Sequence, residues 1–371
     1  MNDVPPLAGY TVAVTAARRA DELAALLGRH GALVLRAPAI RIVPLPDDAT
    51  LLAATEELLA APVDLVIATT GIGFRGWIEA AEGWGLSHKL LTTLQSSVVL
   101  ARGPKAKGAV RAAGLVEHWL PSSETSAELL DYLLASGVAG KRIAVQLHGE
   151  PLTEFTDALR VAGAEIVNIP VYRWERAEDL APLHRLIDAV LARQVDAITF
   201  TSAPAVRSVL AEAESTGVLA ELLTAFGTDV LVGCVGPITA DALLRKAIPV
   251  VQPDRGRLGA LVHCVAQRLP ERATRLRVGR RVLELRGHAV LIDGELRAVP
   301  PAPMALLRSL AEAGGTVVPR RNLLAALPGG GEEHAVESAV GRLRAALGEP
   351  RLVQTVVKRG YRLATDRVVR G

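Results

Sequence analysis

The chain has 371 residues, half of them apolar, with 42 Lys and Arg against 39 Asp and Glu. That length exceeds one ordinary core and sets two or three domains. No apolar run reaches the roughly 18–20 residues of a membrane span, and the opening "MNDVPPLAGY" is not a secretory leader, so a soluble, cytoplasmic protein is expected. Cys234 and Cys264 match no zinc or redox spacing; both are expected as buried, reduced thiols, with no metal site.

The charge is unevenly placed. From residue 271 onward 18 basic residues face 10 acidic ones, a balance of +8, whereas the preceding 270 residues hold 24 basic and 29 acidic, a balance of −5. Such a split assigns the basic part a polyanionic partner. Arg outnumbers Lys 36 to 6 throughout, so the placement of the charges is more informative than their number.

In chain order, the first 270 residues repeat themselves at a spacing of about 132. "GYTVAVTAARRADELAALLGRHGALVLRAPAIRI" from Gly9 pairs with "GKRIAVQLHGEPLTEFTDALRVAGAEIVNIPVYRW" from Gly140. Each reads as strand, helix, Gly-Ala turn and second strand. "DLVIATTGIGFRGW" from Asp64 pairs with "DAITFTSAPAVRSV" from Asp196, and Gly103-Pro104 aligns with Gly236-Pro237. Strands alternating with helices, twice over, predict two doubly wound parallel-sheet domains in the α/β class.

Ligands in that architecture sit beyond the carboxyl ends of strands, where helix N-termini present free N–H groups. The segments placed there are "TTGIG" (69–73), "TSAPA" (201–205), "RGPKA" (102–106) and "VGPIT" (235–239). Facing copies would line an interdomain cleft with hydroxyls and amide donors, suited to a ligand with several carboxylates. The same residue types also serve as plain helix caps.

On "VAVTAARR", "IVNIPVYRW", "DAITFTSAPAVRSVL", "CVGPITADAL" and "VVQPDRGRLGALVHCV", residues 9–268 resemble uroporphyrinogen-III synthase. The resemblance implies an enzyme without metal or cofactor that closes linear hydroxymethylbilane into a macrocycle. It implies one lobe from residues 1–39 plus 174–270 and another from 40–173. It places Tyr172 as the donor to the departing hydroxyl, a role open to a neutral phenol; packing at a strand end is the other reading of Tyr172. It also places Thr69, Thr70, Thr201, Ser202 and Thr239 on ligand carboxylates. "TAARR" stands where the family has Thr-Arg-Pro, which moves the arginine to Arg18 or Arg19. His148 after a strand reads as a solvated turn or a ligand contact. "GIGFRG" is not a dinucleotide fingerprint.

Residues 271–371 read as a separate domain, entered through a linker at 272–281. Strands hinged at Asp293-Gly294 are followed by a helix in "PAPMALLRSLAEAGG", a second in "RRNLLAAL" and a third in "EEHAVESAVGRLRAALG". In the third, Val336, Val340, Leu343 and Leu347 form one stripe; His334, Ser338, Gly341, Arg342 and Ala345 lie opposite, with Arg344 on the flank. "LVQTVV", "KRG" and "YRLA" close the chain as a basic hairpin. This plan resembles the OmpR/PhoB-type winged helix-turn-helix over residues 275–366. The resemblance implies a third helix in the major groove of double-stranded DNA, with Ser338 and Arg342 facing bases, and a wing carrying Lys358 and Arg359. Arg344, Arg351 and Arg362 would position the domain on phosphates.

A synthase-like body with an OmpR-type tail resembles actinobacterial regulators of nitrate and nitrite assimilation. The expectation is a transcription factor whose body senses a tetrapyrrole or other polyanion, or binds a partner transcription factor. Its sparse groove cations point to a homo-oligomer or a co-activator on DNA. A working synthase with an appended DNA-binding domain, and a scaffold lacking both catalysis and ligand, are the alternatives.

Overall fold

The computed structural model of the chain describes residues 4–44, 49–122, 125–149, 152–327 and 333–364. The chain divides into two compact units, Met1–Ile40 with Arg176–Gly371, and Arg41–Glu175.

The first unit holds a five-stranded sheet in the order Val250–Val251, Leu231–Cys234, Ala197–Phe200, Thr11–Val14, Leu33–Arg36, parallel throughout. Its three central strands read TVAV, AITF and LVGC and are buried at every position, as a parallel sheet covered on both faces requires. Helix Leu258–Glu271 sends Leu261, Val262 and Val265 into a core with Val12, Val14, Leu23 and Leu27.

The second unit repeats this plan. Its sheet runs Ile40–Pro44, Glu165–Arg176, Arg142–Gly149, Leu65–Ala68, Val98–Ala101, Glu117–Trp119, and the last five strands pair in parallel. One face packs on Phe74, Trp77, Leu90 and Leu94. The other packs on Leu129, Leu133, Phe155 and Leu159. Trp77 is fully buried yet satisfied, since its indole N–H donates to Thr55 Oγ1 at 2.9 Å.

The winged-helix part belongs to the first unit. Four antiparallel strands, Thr274–Val278, Arg281–Leu285, Ala289–Ile292 and Glu295–Ala298, precede helices Pro301–Glu312, Arg320–Ala326 and Glu333–Leu347. The stretch read as a linker at 272–281 is therefore mostly strand. Its arginines hide the period-two alternation in which Leu276 and Val278 point inward. The Asp293-Gly294 hinge is a hairpin turn with φ of 51° and 87°, and Asp293 accepts the Val282 amide at 2.8 Å.

The closing hairpin pairs Val353–Val356 with Gly360–Leu363. Tyr361 also bridges to Val318, so a β-carbon at Gly360 would lie 2.0 Å from the Val318 carbonyl oxygen. Gly360 also has φ of 136°, so glycine is required there twice over.

Candidate nucleic-acid interface and ligand-binding turns

Helix Glu333–Leu347 divides as its pattern predicts. Val336, Ala339, Val340, Leu343 and Leu347 are buried, while His334, Ser338, Gly341, Arg342 and Ala345 are exposed. Small residues on the outward stripe let the helix backbone approach a groove closely. Among the described residues the Arg342 guanidinium has no protein partner. Arg344 is differently placed: it donates to the Val353 carbonyl at 2.7 and 3.0 Å and to Thr355 Oγ1 at 2.8 Å, and lies 6.0 Å from the Tyr361 ring centre. Its charge pins the wing to the helix.

At the wing tip Val357, Lys358 and Arg359 are exposed, and Lys358 holds a left-handed φ of 62°. Arg351 is exposed within the short helix Pro350–Leu352, and Arg362 donates to Gln354 Oε1 at 3.0 Å across the hairpin. Cationic side chains thus flank an open helix face, the charge pattern needed for phosphate contacts beside a base-reading helix.

In the five-stranded sheet, the carboxyl ends of adjacent strands gather Arg18, Thr201, Ser202 and Thr239 along one edge. Helices Ala20–Arg29, Ala203–Ser215 and Pro237–Leu244 begin there. Arg19, left-handed with φ of 54°, donates Nε and Nη2 to the Glu22 carboxylate, whereas Arg18 is exposed and has no partner among the described residues. The Thr201, Ser202 and Thr239 side chains form no hydrogen bond among the described residues, although Ser202 stands at a helix cap. Thr201 and Ser202 are half-buried and open to a ligand, whereas Thr239 is buried.

The matching turn of the second unit is closed. Gln146, 1% exposed, accepts the Thr69 amide at 3.1 Å through Oε1 and donates Nε2 to the Thr70 carbonyl and hydroxyl at 3.1 Å each. Thr69 donates its hydroxyl to the Gln146 carbonyl at 2.9 Å, and Thr70 caps helix Gly71–Gly83 by accepting the Gly73 amide at 3.3 Å. A β-carbon at Gly73 would sit 2.3 Å from Gln146 Nε2. Tyr172 and His148 fall on strands Glu165–Arg176 and Arg142–Gly149; their side chains lie outside the described residues.

The comparisons with known proteins follow this layout. The family described as Uroporphyrinogen-III synthase HemD matches residues 21–263. A mutant uroporphyrinogen III synthase of the extremely thermophilic bacterium Thermus thermophilus shares 31% identity over 71% of this chain and 99% of its own, with a TM-score of 0.58. The chain belongs to the uroporphyrinogen-III synthase family. A Bacillus subtilis protein, "Uncharacterized protein YjjA", is 28% identical over 69% of this chain and 94% of its own. A putative uroporphyrinogen-III synthase of Methanothermobacter thermautotrophicus is 29% identical over 47% of this chain and 68% of its own. Residues 294–363 match the family described as Transcriptional regulatory protein, C terminal, so the synthase region carries a C-terminal OmpR/PhoB-type domain.

Gln146 is the residue that sequence reasoning missed. Its signal was present in the repeat, because Gln146 aligns with Thr15, whose hydroxyl donates to the Thr199 carbonyl at 2.9 Å. Both side chains tie the first strand of a repeat to the strand that carries the hydroxyl turn. The thiols also differ from expectation. Cys234 is buried, and burial pushes it up to about 12, but Cys264 is only half-buried; both are free. Among the described residues no group of three His, Cys, Asp or Glu could hold a metal, and no helix is long and apolar enough to cross a membrane.

Proposed function

We propose that this chain is a DNA-binding transcriptional regulator whose synthase-family portion senses a polyanionic, tetrapyrrole-like ligand or binds a partner regulator. One observation carries the DNA part: an outward helix stripe of small residues around an unpartnered Arg342, beside a wing whose tip is Lys358-Arg359. The helix enters the major groove, Arg342 reaches a base edge or phosphate, and the wing engages the flanking backbone. The nitrate and nitrite setting rests on the resemblance of the domain combination alone.

Sensing is supported by the open hydroxyls of Thr201 and Ser202 beside Arg18, at helix N-termini that favour carboxylates; Thr239, which the resemblance also places on the ligand, is buried. The same observation favours retained cyclisation of hydroxymethylbilane as the second reading. Two measurements decide. Anisotropy titration of the full chain with promoter duplexes should show affinity that falls steeply with salt; indifference to duplex DNA at low ionic strength overturns the regulator reading. Incubation with hydroxymethylbilane separates sensor from enzyme by whether the type III isomer forms faster than spontaneous closure.

A further inference from the structure

Within the first compact unit, the DNA-binding domain meets the amino-terminal end of the five-stranded sheet. The His288 amide donates to the Gly9 carbonyl at 2.8 Å, Arg286 donates to the Ala8 carbonyl at 2.6 Å, and Arg308 donates to the Arg193 and Gly287 carbonyls. Beside these contacts lies a recess of about 960 Å³, its walls drawn from both domains. Small-molecule sites of this order are commonly found at domain boundaries.

Five arginines line it against four carboxylates, and the pairing of the acids leaves the excess positive charge among Arg272, Arg275, Arg286 and Arg308. Glu284 serves both Arg275, at 3.0 Å, and Arg286, at 2.9 Å. Asp196 stands 4.0 Å from Arg308, and Arg272 meets no carboxylate among the described residues, donating only to the Thr228 carbonyl at 2.5 Å. The remaining acids are taken: Arg193 holds Asp229 at 3.0 Å and Glu312 at 3.9 Å, and Arg268 holds Glu271 at 3.2 Å. Four guanidinium groups therefore share two carboxylates along this wall.

Tyr10 adds a second, independent feature. It lines the recess, is 3% exposed, and its hydroxyl has no hydrogen-bond partner among the described residues. Burial holds this phenol above its ordinary range, so it stays a neutral donor, with the Arg286 guanidinium 5.3 Å from its ring centre. An unpaired buried hydroxyl is costly.

We propose that the recess binds a small oxyanion of two or more negative charges, phosphate-bearing or polycarboxylate, which bridges Arg272 at the end of the lobe to Arg275 and Arg308 of the DNA-binding domain. Bound there, it acts as an effector by favouring the docked arrangement over others. The regulatory consequence rests on the DNA-binding function proposed above; the binding site does not.

The test titrates the full chain by calorimetry with pyrophosphate and with citrate at matched ionic strength. Saturable one-to-one binding of either probe is expected, and the one that binds names the ligand class. Arg272→Ala should weaken it about tenfold or more, whereas the wing variant Arg359→Ala should not. No saturable binding of either probe, or equal affinity in Arg272→Ala, overturns the site, as does loss of binding in Arg359→Ala, which would move the anion to the DNA face. Duplex titration without probe is scored separately: its failure removes the regulator reading and leaves the recess result standing.

Discussion

The Asp196 carboxylate accepts a hydrogen bond of 2.8 Å from the Thr11 amide, and at the matching place in the other repeat Asp64 accepts one of 2.7 Å from the Arg142 amide. In each sheet the bond fastens the start of a strand from one repeat to its neighbour from the other. Asp64 is exposed, whereas Asp196 is covered by Gly287 and Arg308 of the DNA-binding domain. A structural carboxylate inherited from the duplication has become part of a domain seam, at the end of the sheet opposite the hydroxyl turns.

Burial raises Asp196 to about 6, against the pull of the Thr11 amide and Arg308. The folded state thus holds this proton more tightly than the unfolded chain, and the stability it confers is present at low pH and lost as pH rises through about 6. The loss amounts to about 2–3 kcal/mol between pH 4 and 7. Asp196→Asn keeps an acceptor for Thr11 and removes the charge. Urea unfolding across that window should show the variant gaining on the natural protein as pH rises; a constant difference refutes the assignment.

Gly287 is tied to the same carboxylate by space. A β-carbon there would lie 1.8 Å from Asp196 Oδ2. The backbone of Gly287 is not left-handed, so the effect of Gly287→Ala is steric. It should destabilise the first unit by about 1–3 kcal/mol. Adding Asp196→Ala should recover most of that loss in a double-mutant cycle of unfolding free energies. Additive losses would place the strain elsewhere.

Patterned segments were legible. The stripe of Val336, Val340, Leu343 and Leu347 identified both faces of the third helix because a 3.6-residue period survives in composition. The Asp293-Gly294 turn and the wing were readable for the same kind of local reason. Long-range polar bonds were not. Asp196 to Thr11 spans 185 residues and Gln146 to Thr69 spans 77, and no local pattern encodes either partner. Arg344 read as a phosphate contact from its flank position, but only the folded hairpin brings the Val353 carbonyl to it. Leu276 and Val278 were disguised by alternating arginines, which look like a solvated linker until a second strand pairs with them.

Arg342 and Arg344 should therefore separate in experiment. Arg342→Ala should weaken operator binding by about 1–3 kcal/mol with unfolding unchanged. Arg344→Ala should cost about 1–3 kcal/mol of stability through lost charged hydrogen bonds, and weaken all DNA sequences alike by loosening the wing. Duplex titrations against specific and scrambled sites, with thermal unfolding of both variants, read the difference. Sequence-selective loss in Arg344→Ala alone would exchange the two roles.

Gln146 offers the sharpest test of the second unit's turn. Its side chain satisfies the Thr69 amide and the Thr70 carbonyl, and it touches the hydroxyl that caps helix Gly71–Gly83. Gln146→Leu preserves bulk but strands those groups, at a cost of about 1–3 kcal/mol. Gln146→Glu keeps an acceptor for the Thr69 amide yet sets a carboxylate against the Thr70 carbonyl, so it should fall below the natural protein too, and further at neutral pH than in acid. DNA affinity should stay unchanged in both, because the turn belongs to the unit that carries no part of the winged helix. Urea unfolding paired with duplex titration checks this, and wild-type stability in Gln146→Leu would show that the turn holds without it.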